Sequence, residues 1–132
     1  MKTVRPPRYP APLATLALAF VLSACAGSYG GGAPARIEGG MLVGANGMTL
    51  YTFDKDPAGS GKSVCNGPCA GNWPPLLAMD GDRAGGDWSI VVRDDGQRQW
   101  AYRGKPLYYW VKDQKAGDTT GDGVNQVWRV AR

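Results

Sequence analysis

The stretch GMTLYTFDKD at residues 47–56 recurs later in the chain as GKPLYYWVKD at residues 104–113. Glycine, leucine, tyrosine, lysine and aspartate are identical between the copies, and each copy has an aromatic ring three places after its leucine. An internal repeat of this kind indicates that one structural unit occurs twice. The sequence therefore predicts two related units that pair about a pseudo-twofold axis and share one aromatic core.

Hairpin patterns surround both copies of the repeat. Asn46-Gly47 is the strongest short hairpin signal in the chain, and the acidic turn at residues 94–96 provides a second one. No window of helical length has an apolar period of 3.6 residues. The sequence therefore predicts an all-β fold, a small antiparallel domain of two related hairpin units with at most a short helical turn near residues 66–72. The predicted strands are residues 41–43, 49–53, 88–92, 97–102, 107–111 and 126–130.

The aromatic and acidic positions of the repeat admit two interpretations. Side chains alternate along a strand with a period of two, so the tyrosine and the following ring of each copy lie on one face. These rings can fill the core while each aspartate satisfies backbone N–H groups of a turn, or they can form an exposed platform for a sugar, a peptide or an aromatic ligand. We expect a mainly structural role for Tyr51, Phe53, Asp56, Tyr108, Trp110 and Asp113, and we place a possible ligand surface at Trp73, Trp100 and Tyr102.

The N-terminal segment has the layout of a secretory signal peptide. Lys2, Arg5 and Arg8 precede an apolar run at residues 13–22, which is too short to span a bilayer as a helix. Cys25 directly follows a Leu-Ser-Ala triplet, and this arrangement resembles the lipobox of a bacterial lipoprotein precursor. We therefore predict that cleavage before Cys25 leaves a thiol that carries a lipid anchor.

This cleavage site divides the chain into three predicted parts. Residues 1–24 form the signal peptide, and residues 25–36 form the lipidated cysteine with a tether rich in Gly and Ala. Residues 37–132 form a single β domain that contains both copies of the repeat. Ala26, and not aspartate, follows the anchor, and where the Gram-negative sorting rule applies this favours the outer membrane, facing the periplasm.

Composition excludes several classes of function. Removal of the signal leaves 12 Lys and Arg against 11 Asp and Glu, so the basicity belongs to the signal and nucleic acid is not an expected partner. The chain has no histidine. This excludes catalytic systems of the Ser-His-Asp and Cys-His types, metal sites with histidine ligands and haem bound by histidine. We therefore expect a protein without enzyme activity and without a cofactor.

Lipidation of Cys25 leaves one cysteine pair, Cys65 and Cys69, in an oxidising compartment. A disulfide that closes this short loop would stabilise the domain by roughly 2 kcal/mol. The alternative is a redox pair in which Cys69 lies in the first turn of a short helix, where the helix dipole lowers a thiol pKa. Three intervening residues and the lack of a βαβ frame favour the structural crosslink.

An acidic, Gly-rich loop at residues 117–123 is a minor candidate for a metal site. Asp118 and Asp122 could offer hard oxygen ligands to Ca²⁺, but the spacing and the final glutamate of an EF-hand are missing. Glycine and aspartate also build ordinary turns. Nothing in the spacing of the carboxylates identifies an acid–base pair for a hydrolase.

The repeats resemble a known family of small bacterial lipoproteins, the "secreted repeat of unknown function". The likeness is carried by a Tyr-x-[Phe/Trp/Tyr]-x-x-Asp motif in both copies and by Cys65-x-x-x-Cys69, followed by Ala-x-x-Trp-Pro-Pro-Leu. A Gly-Asp-x-x-Gly segment at residues 117–121 that leads to Trp128 is also similar to the family. The resemblance covers about residues 40–131 and implies a secreted lipoprotein without an assigned activity.

Two functions from different classes fit these observations. The leading hypothesis is a membrane-anchored envelope lipoprotein that serves as a non-catalytic interaction or ligand-binding module of unknown specificity. Its partners would be the lipid bilayer, through acylated Cys25, and an unidentified envelope protein or glycan. The alternative is a periplasmic redox or electron-transfer accessory that uses Cys65 and Cys69.

Overall fold

The structure is a computed structural model that describes residues 2–14 and 32–132. Residues 2–14 are exposed and contain no helix or strand. The predicted lipobox and Cys25 lie outside the described residues, as does most of the predicted apolar run. Among the residues described, no helix is both long enough and apolar enough to cross a membrane.

The folded part consists of short antiparallel strands, which confirms the predicted all-β class. The strands are β1 (Ala35–Glu38), β2 (Met41–Gly44), β3 (Tyr51–Phe53), β4 (Trp88–Val92), β5 (Arg98–Tyr102), β6 (Lys105–Pro106) and β7 (Trp128–Val130). They form three small sheets, with strand orders β1-β2, β3-β7 and β4-β5-β6. One short helix, α1 (Pro68–Asn72), and one 3-10 turn, Val124–Gln126, interrupt the strands.

The two predicted hairpins have different outcomes. The β4–β5 hairpin forms as expected, with Val92 opposite Arg98 across the acidic turn. The turn at Asn46-Gly47 also forms, but β2 and the next strand share only the bridge between Val43 and Thr49. The prediction of a regular hairpin there is wrong because β3 leaves β2 and pairs with β7 instead.

The predicted tether, residues 25–36, is two residues too long, because β1 begins at Ala35. Ala35 is buried, and Arg36 pairs with Val43 of β2. The turn between these strands is Gly39-Gly40, with φ of 56° and 77°. A two-residue hairpin of type I′ requires positive φ at both positions, and glycine adopts it without steric cost. The domain therefore begins at residue 35.

The two repeats exchange strands about a pseudo-twofold axis. At the centre, the backbone N–H groups of Tyr51 and Tyr108 donate to each other's carbonyl oxygens, at 2.8 and 3.0 Å. The first repeat then places β3 against β7 of the second repeat. In the equivalent contact, the segment after Tyr108 in the second repeat lies against the segment after α1 in the first. The Tyr109 N–H donates to the Pro74 carbonyl at 2.7 Å, and the Val111 N–H donates to the Asn72 carbonyl at 3.1 Å.

A stack of four aromatic rings lies at this exchange, and we call it the ring stack. Its order is Phe53, Trp128, Trp73 and Trp110, with successive ring centroids 4.2, 3.7 and 4.0 Å apart. The ring at each end lies two residues after a repeat tyrosine, Phe53 on β3 and Trp110 in the segment after β6, and each rests on a tryptophan from the other repeat. Aromatic pairs of this kind contribute about 0.5–1.5 kcal/mol beyond the area they bury. The ring stack therefore joins the repeats across their shared axis.

A second apolar cluster lies on the opposite side of the central tyrosines. Leu50 and Leu107 occupy equivalent places in the two repeats, and both are fully buried. The equivalence extends to the backbone, because the Leu50 N–H donates to Leu42 at 2.9 Å and the Leu107 N–H donates to Trp100 at 3.0 Å. The buried members of this cluster are Ala35, Leu42, Leu50, Leu76, Trp100, Leu107 and Ala131.

Gly121 allows the closest approach to the ring stack, and its replacement tests how tightly this region is packed. A Cβ at this position would lie 2.8 Å from Trp73, 2.9 Å from Tyr51 and 3.0 Å from Trp110. Gly121→Ala should lower the free energy of unfolding by about 1–3 kcal/mol, because overpacking forces rings out of their preferred positions. Urea unfolding monitored by tryptophan fluorescence measures the change. Gly71→Ala is the control, since nothing lies within 4 Å of a Cβ there; equal destabilisation of both variants would contradict the tight packing.

Candidate functional site

The repeat motif forms reciprocal hydrogen bonds between the two units. The Tyr51 hydroxyl donates to the Asp113 carboxylate at 2.6 Å, and the Tyr108 hydroxyl donates to the Asp56 carboxylate at 2.5 Å. Both tyrosines are fully buried, and Asp56 and Asp113 are only 6% and 8% exposed. Each aspartate is therefore satisfied by the tyrosine of the other repeat.

The second oxygen of each carboxylate fixes the loop that follows it. The Asp56 Oδ1 accepts a bond from the Val64 N–H at 2.7 Å. The Asp113 Oδ1 accepts bonds from the N–H and the hydroxyl of Thr120, at 3.0 and 2.6 Å. The two motif aspartates thus join a loop in their own repeat to a tyrosine in the other.

Burial changes the acid–base properties of these groups. It raises the pKa of the Tyr51 and Tyr108 hydroxyls well above the usual range, and the carboxylate that each hydroxyl bonds raises the pKa further. Burial also raises the pKa of Asp56, while the bonds from Tyr108 and Val64 and the charge of Arg93 act in the opposite direction. The tyrosines therefore stay neutral in the folded protein and act as hydrogen-bond donors.

Arg93 is a buried cation that sequence reasoning missed. Its guanidinium donates to the Gln99 side chain at 2.7 Å, to the Ser63 hydroxyl at 3.0 Å and to the Cys65 carbonyl at 2.6 Å. The Ser63 hydroxyl in turn lies 2.6 Å from the Tyr108 hydroxyl. Arg93 therefore connects the β4–β5 turn with the disulfide loop and the motif.

The structure contains the predicted disulfide between Cys65 and Cys69, whose Cα atoms are 5.2 Å apart. Cys69 lies in the first turn of α1, and its N–H donates to the Asn66 carbonyl at 3.1 Å. Cys65 is fully buried in the cluster that contains Trp73 and Trp128, and Cys69 is half-buried against the same cluster. The crosslink therefore ties the loop before α1 to its first turn, with Cys65 shielded from solvent and Cys69 at the edge of an open cavity that Asn72 and Trp73 also line.

The tryptophans proposed for a ligand surface lie inside the protein. Trp73 is 4% exposed because it stacks between Trp128 and Trp110, and Trp100 is 6% exposed within the second apolar cluster. Neither ring presents a face to solvent in this structure. Tyr102 is half-buried and lies beside Trp88, with their ring centroids 4.9 Å apart.

The carboxylates of the acidic loop are used by the backbone. The Asp118 carboxylate accepts bonds from the N–H groups of Gln114 and Lys115, at 2.8 and 3.1 Å, and these bonds lower the pKa of Asp118. The Asp122 carboxylate accepts a bond from the Val130 N–H at 3.1 Å. Within residues 2–14 and 32–132, no cluster of three or more His, Cys, Asp or Glu is arranged to hold a metal ion. Asp118 and Asp122 therefore use their carboxylates to stabilise turns of the backbone.

An open cavity of about 300 Å³, which we call the basic depression, lies between the end of β7 and the β5–β6 turn. Its floor is apolar, and its walls carry a hydroxyl, an aromatic ring and cationic side chains. Of the residues named as a possible ligand surface, Tyr102 lines this cavity; its cations were not predicted from the sequence because they come from separate parts of the chain. The walls are Thr52, Tyr102, Arg103, Lys105, Arg129 and Arg132, and the floor is Leu107, Val130 and Ala131.

The cations of the basic depression have few strong partners. Arg103 faces Asp87 at 3.5 Å and Arg129 faces Asp54 at 3.2 Å, and all four of these side chains are exposed. Exposed ion pairs of this kind contribute about 0–1 kcal/mol. Lys105 forms no ion pair with any residue in the described part of the chain. The cations are therefore available to an external anion.

Comparison with known proteins identifies two matching segments. A family model described as a secreted repeat of unknown function matches residues 34–77 and again residues 89–132, which together span more than half of the chain. The first segment contains β1 to α1, and the second contains most of β4 and all of the later strands. The match confirms the family that the sequence resembles. No curated protein and no solved structure matches the chain.

The reciprocal bonds predict energetic coupling between the repeats and not within them. Tyr51→Phe removes the donor of one buried bond and Asp113→Asn removes the charge of its acceptor, so their double-mutant cycle should give a coupling of about 1–3 kcal/mol in the free energy of unfolding. Tyr51→Phe with Asp56→Asn combines the two motif positions of one repeat and should be additive within about 0.5 kcal/mol. A larger coupling energy for Tyr51 with Asp56 than for Tyr51 with Asp113 would contradict the exchange of hydrogen bonds between the repeats.

The raised pKa of both motif tyrosines predicts a loss of stability in alkali. Because the folded protein keeps these hydroxyls protonated, their contribution is complete below the unfolded pKa of about 10 and falls as pH rises above it. Urea unfolding at several pH values from about 9 to about 11 should show this fall. Replacing both tyrosines with phenylalanine should make the slope shallower, although stability at neutral pH is lower. An unchanged slope would show that other groups govern the alkaline transition.

Proposed function

Because this chain belongs to the family of secreted repeats of unknown function, we propose that it is a lipid-anchored envelope protein whose folded domain is a non-catalytic interaction module. The supporting observation is that the buried hydroxyls and carboxylates of the repeat motif bond each other across the pseudo-twofold axis. The motif therefore holds the domain together and leaves its outer surface to make contacts. An envelope or extracellular location agrees with a family described as secreted.

The state of the carboxylates supports a role without catalysis. A general acid or base has to come within hydrogen-bonding distance of its substrate, or within reach through one water. Asp56 and Asp113 are buried, and both oxygens of each are already bonded. Asp118 and Asp122 accept backbone bonds in turns. We therefore expect binding and not hydrolysis from this domain.

The basic depression is the surface best suited to an interaction. It is a concave site with an apolar floor and polar walls, which is the usual composition of a ligand site. Its walls come from β3, from the β5–β6 turn and from the end of β7, so the strand exchange holds them in place. A partner bound here would contact both repeats at once.

The anchor is inferred from the sequence of the N-terminal segment. The Leu-Ser-Ala triplet before Cys25 supports lipidation of that cysteine, and Ala26 favours the outer membrane with the domain in the periplasm. Residues 26–34 separate Cys25 from β1. Nine residues reach at most about 30 Å even when fully extended, so the domain would act close to the membrane surface.

The proposal predicts acylation at Cys25 and saturable binding by the domain. Intact mass of the membrane-extracted protein should show loss of residues 1–24 and gain of acyl chains, and Cys25→Ser should remove both changes. The control is Cys65→Ser with Cys69→Ser, which should keep the acyl chains because the disulfide is separate from the anchor.

The extracted protein should also bind purified envelope fractions, including peptidoglycan, to saturation and without cleaving them. A mature chain without acyl chains would contradict the proposed lipid anchor. Release of glycan fragments, or no saturable binding to any envelope fraction, would remove the interaction module.

A further inference from the structure

We propose that the basic depression binds an oxyanion of the phosphate class, either as the headgroup of an anionic phospholipid or as a free phosphate ester. This inference rests on the proposed function, because it names the chemistry that the interaction module recognises. Three observations carry it: the convergence of four cations, the apolar floor beneath them, and the backbone conformation of Arg103.

The four cations come from separate parts of the fold. Arg103 lies in the β5–β6 turn, Lys105 is the first residue of β6, Arg129 lies on β7, and Arg132 follows that strand. All four are exposed at the mouth of the same cavity. Three of them are arginines, whose planar guanidinium groups bond two oxygens of a phosphate at once. This donor set fits a compact anion with several oxygens.

The existing partners of these side chains leave donors available. Arg103 and Arg129 face Asp87 and Asp54 through Nε, and Arg129 also donates to the Gln126 carbonyl at 2.9 Å. The Arg132 guanidinium donates to the Gly40 carbonyl at 3.5 Å. These contacts position the side chains, and a phosphate is a stronger partner than an exposed carboxylate because it offers more oxygens and more charge.

The floor of the cavity strengthens binding of an anion. Leu107, Val130 and Ala131 are buried beneath the cations, and Thr52 offers a hydroxyl on the wall. Charges interact more strongly beside an apolar surface than in open water, because the surrounding dielectric is lower. A volume of about 300 Å³ is large enough for a phosphate-bearing headgroup.

Arg103 occupies a conformation that its side chain does not favour. Its φ is 50° and that of Gly104 is 79°, so both central residues of this two-residue turn have positive φ. The β1–β2 turn has the same pattern and uses glycine at both places, Gly39 and Gly40. Asparagine or glycine is preferred at the first position, and arginine there is strained.

Strain at a single residue is characteristic of positions kept for function. The Arg103 guanidinium lies 5.0 Å from the centre of the Tyr102 ring and faces the basic depression. The backbone of the turn gains nothing from arginine, since asparagine would adopt the same conformation more readily, and the local contacts of the side chain are an exposed ion pair with Asp87 and the Tyr102 ring. We therefore attribute the presence of arginine at this strained position to what its side chain contacts, and not to the backbone conformation of the turn.

The charge distribution favours a small anion over a nucleic acid. The mature chain has 12 cations against 11 acids, and the four cations of the depression line a single cavity. A polyanion is bound through a long basic surface that contacts many phosphates. A single phosphate group needs only the contacts that this cavity provides.

Titration of the purified protein in detergent tests the proposal with three soluble probes. Inorganic phosphate represents the free anion, glycerophosphoglycerol represents an anionic headgroup, and glycerophosphocholine is the neutral control. Binding is followed by calorimetry and by the NMR signals of the arginine Nε–H groups. We expect saturable binding of at least one anionic probe, weakened by salt, and no comparable binding of the neutral probe.

Arg103→Asn separates binding from folding. The variant should keep or raise the melting temperature because asparagine suits the turn, yet weaken affinity for the anion by about five- to tenfold. Lys105→Gln should weaken affinity in the same direction, and Lys115→Asn, outside the depression, should leave it unchanged. Tighter binding of glycerophosphoglycerol would identify a lipid headgroup as the source, and tighter binding of inorganic phosphate would identify the free anion.

Three results would overturn the proposal: no saturable binding of either anionic probe, equal binding of the neutral probe, or affinity that is unchanged in both depression variants. Saturable binding to envelope fractions without phosphate binding would leave the interaction module standing and remove only this inference. Loss of both would remove the proposed function as well.

Discussion

The fold depends on two buried carboxylates whose tyrosine donors belong to the other repeat. Asp56 bonds Tyr108, and Asp113 bonds Tyr51, with all four side chains almost or fully removed from water. A buried carboxylate without its donors is strongly destabilising, because its desolvation is no longer offset. A single repeat would bury an aspartate without its tyrosine, so each unit requires the other to complete its own motif. The strand exchange and the ring stack also join the repeats, because each places residues of one repeat against residues of the other.

Other parts of the molecule stabilise this arrangement locally. The disulfide closes the loop that leads into α1, and Arg93 joins that loop to the β4–β5 turn through Ser63 and the Cys65 carbonyl. A domain of this size buries a smaller fraction of its surface than a large one, so such connections matter to its stability. The basic depression benefits from the same rigidity, because its walls are strands and turns that the exchange has already positioned.

The sequence predicts the features that depend on local pattern. The repeat, the β4–β5 hairpin, the short helix and the cysteine pair all follow from spacing and turn residues. The features it does not predict depend on pairing between distant segments. The first two residues of β1 continue the composition of the tether, and they belong to a strand because β2 pairs with them and Ala35 is buried. Arg93 precedes two aspartates and has the sequence context of a surface residue, while the cations of the basic depression lie up to 29 positions apart. A positive φ at Arg103 could have been suspected from the Arg-Gly pair between two strand patterns, since that place usually holds asparagine.

Reciprocal completion of the motif means that the two repeats unfold together, and amide hydrogen exchange of the native protein tests this directly. The Leu50 and Leu107 N–H groups occupy equivalent places in the two repeats, and each donates within its own repeat, to Leu42 and to Trp100. If neither repeat is stable alone, both amides should exchange with the same opening free energy, equal to that of global unfolding. A clearly lower opening free energy for one of them would show that its repeat unfolds while the other stays folded, and would contradict the account.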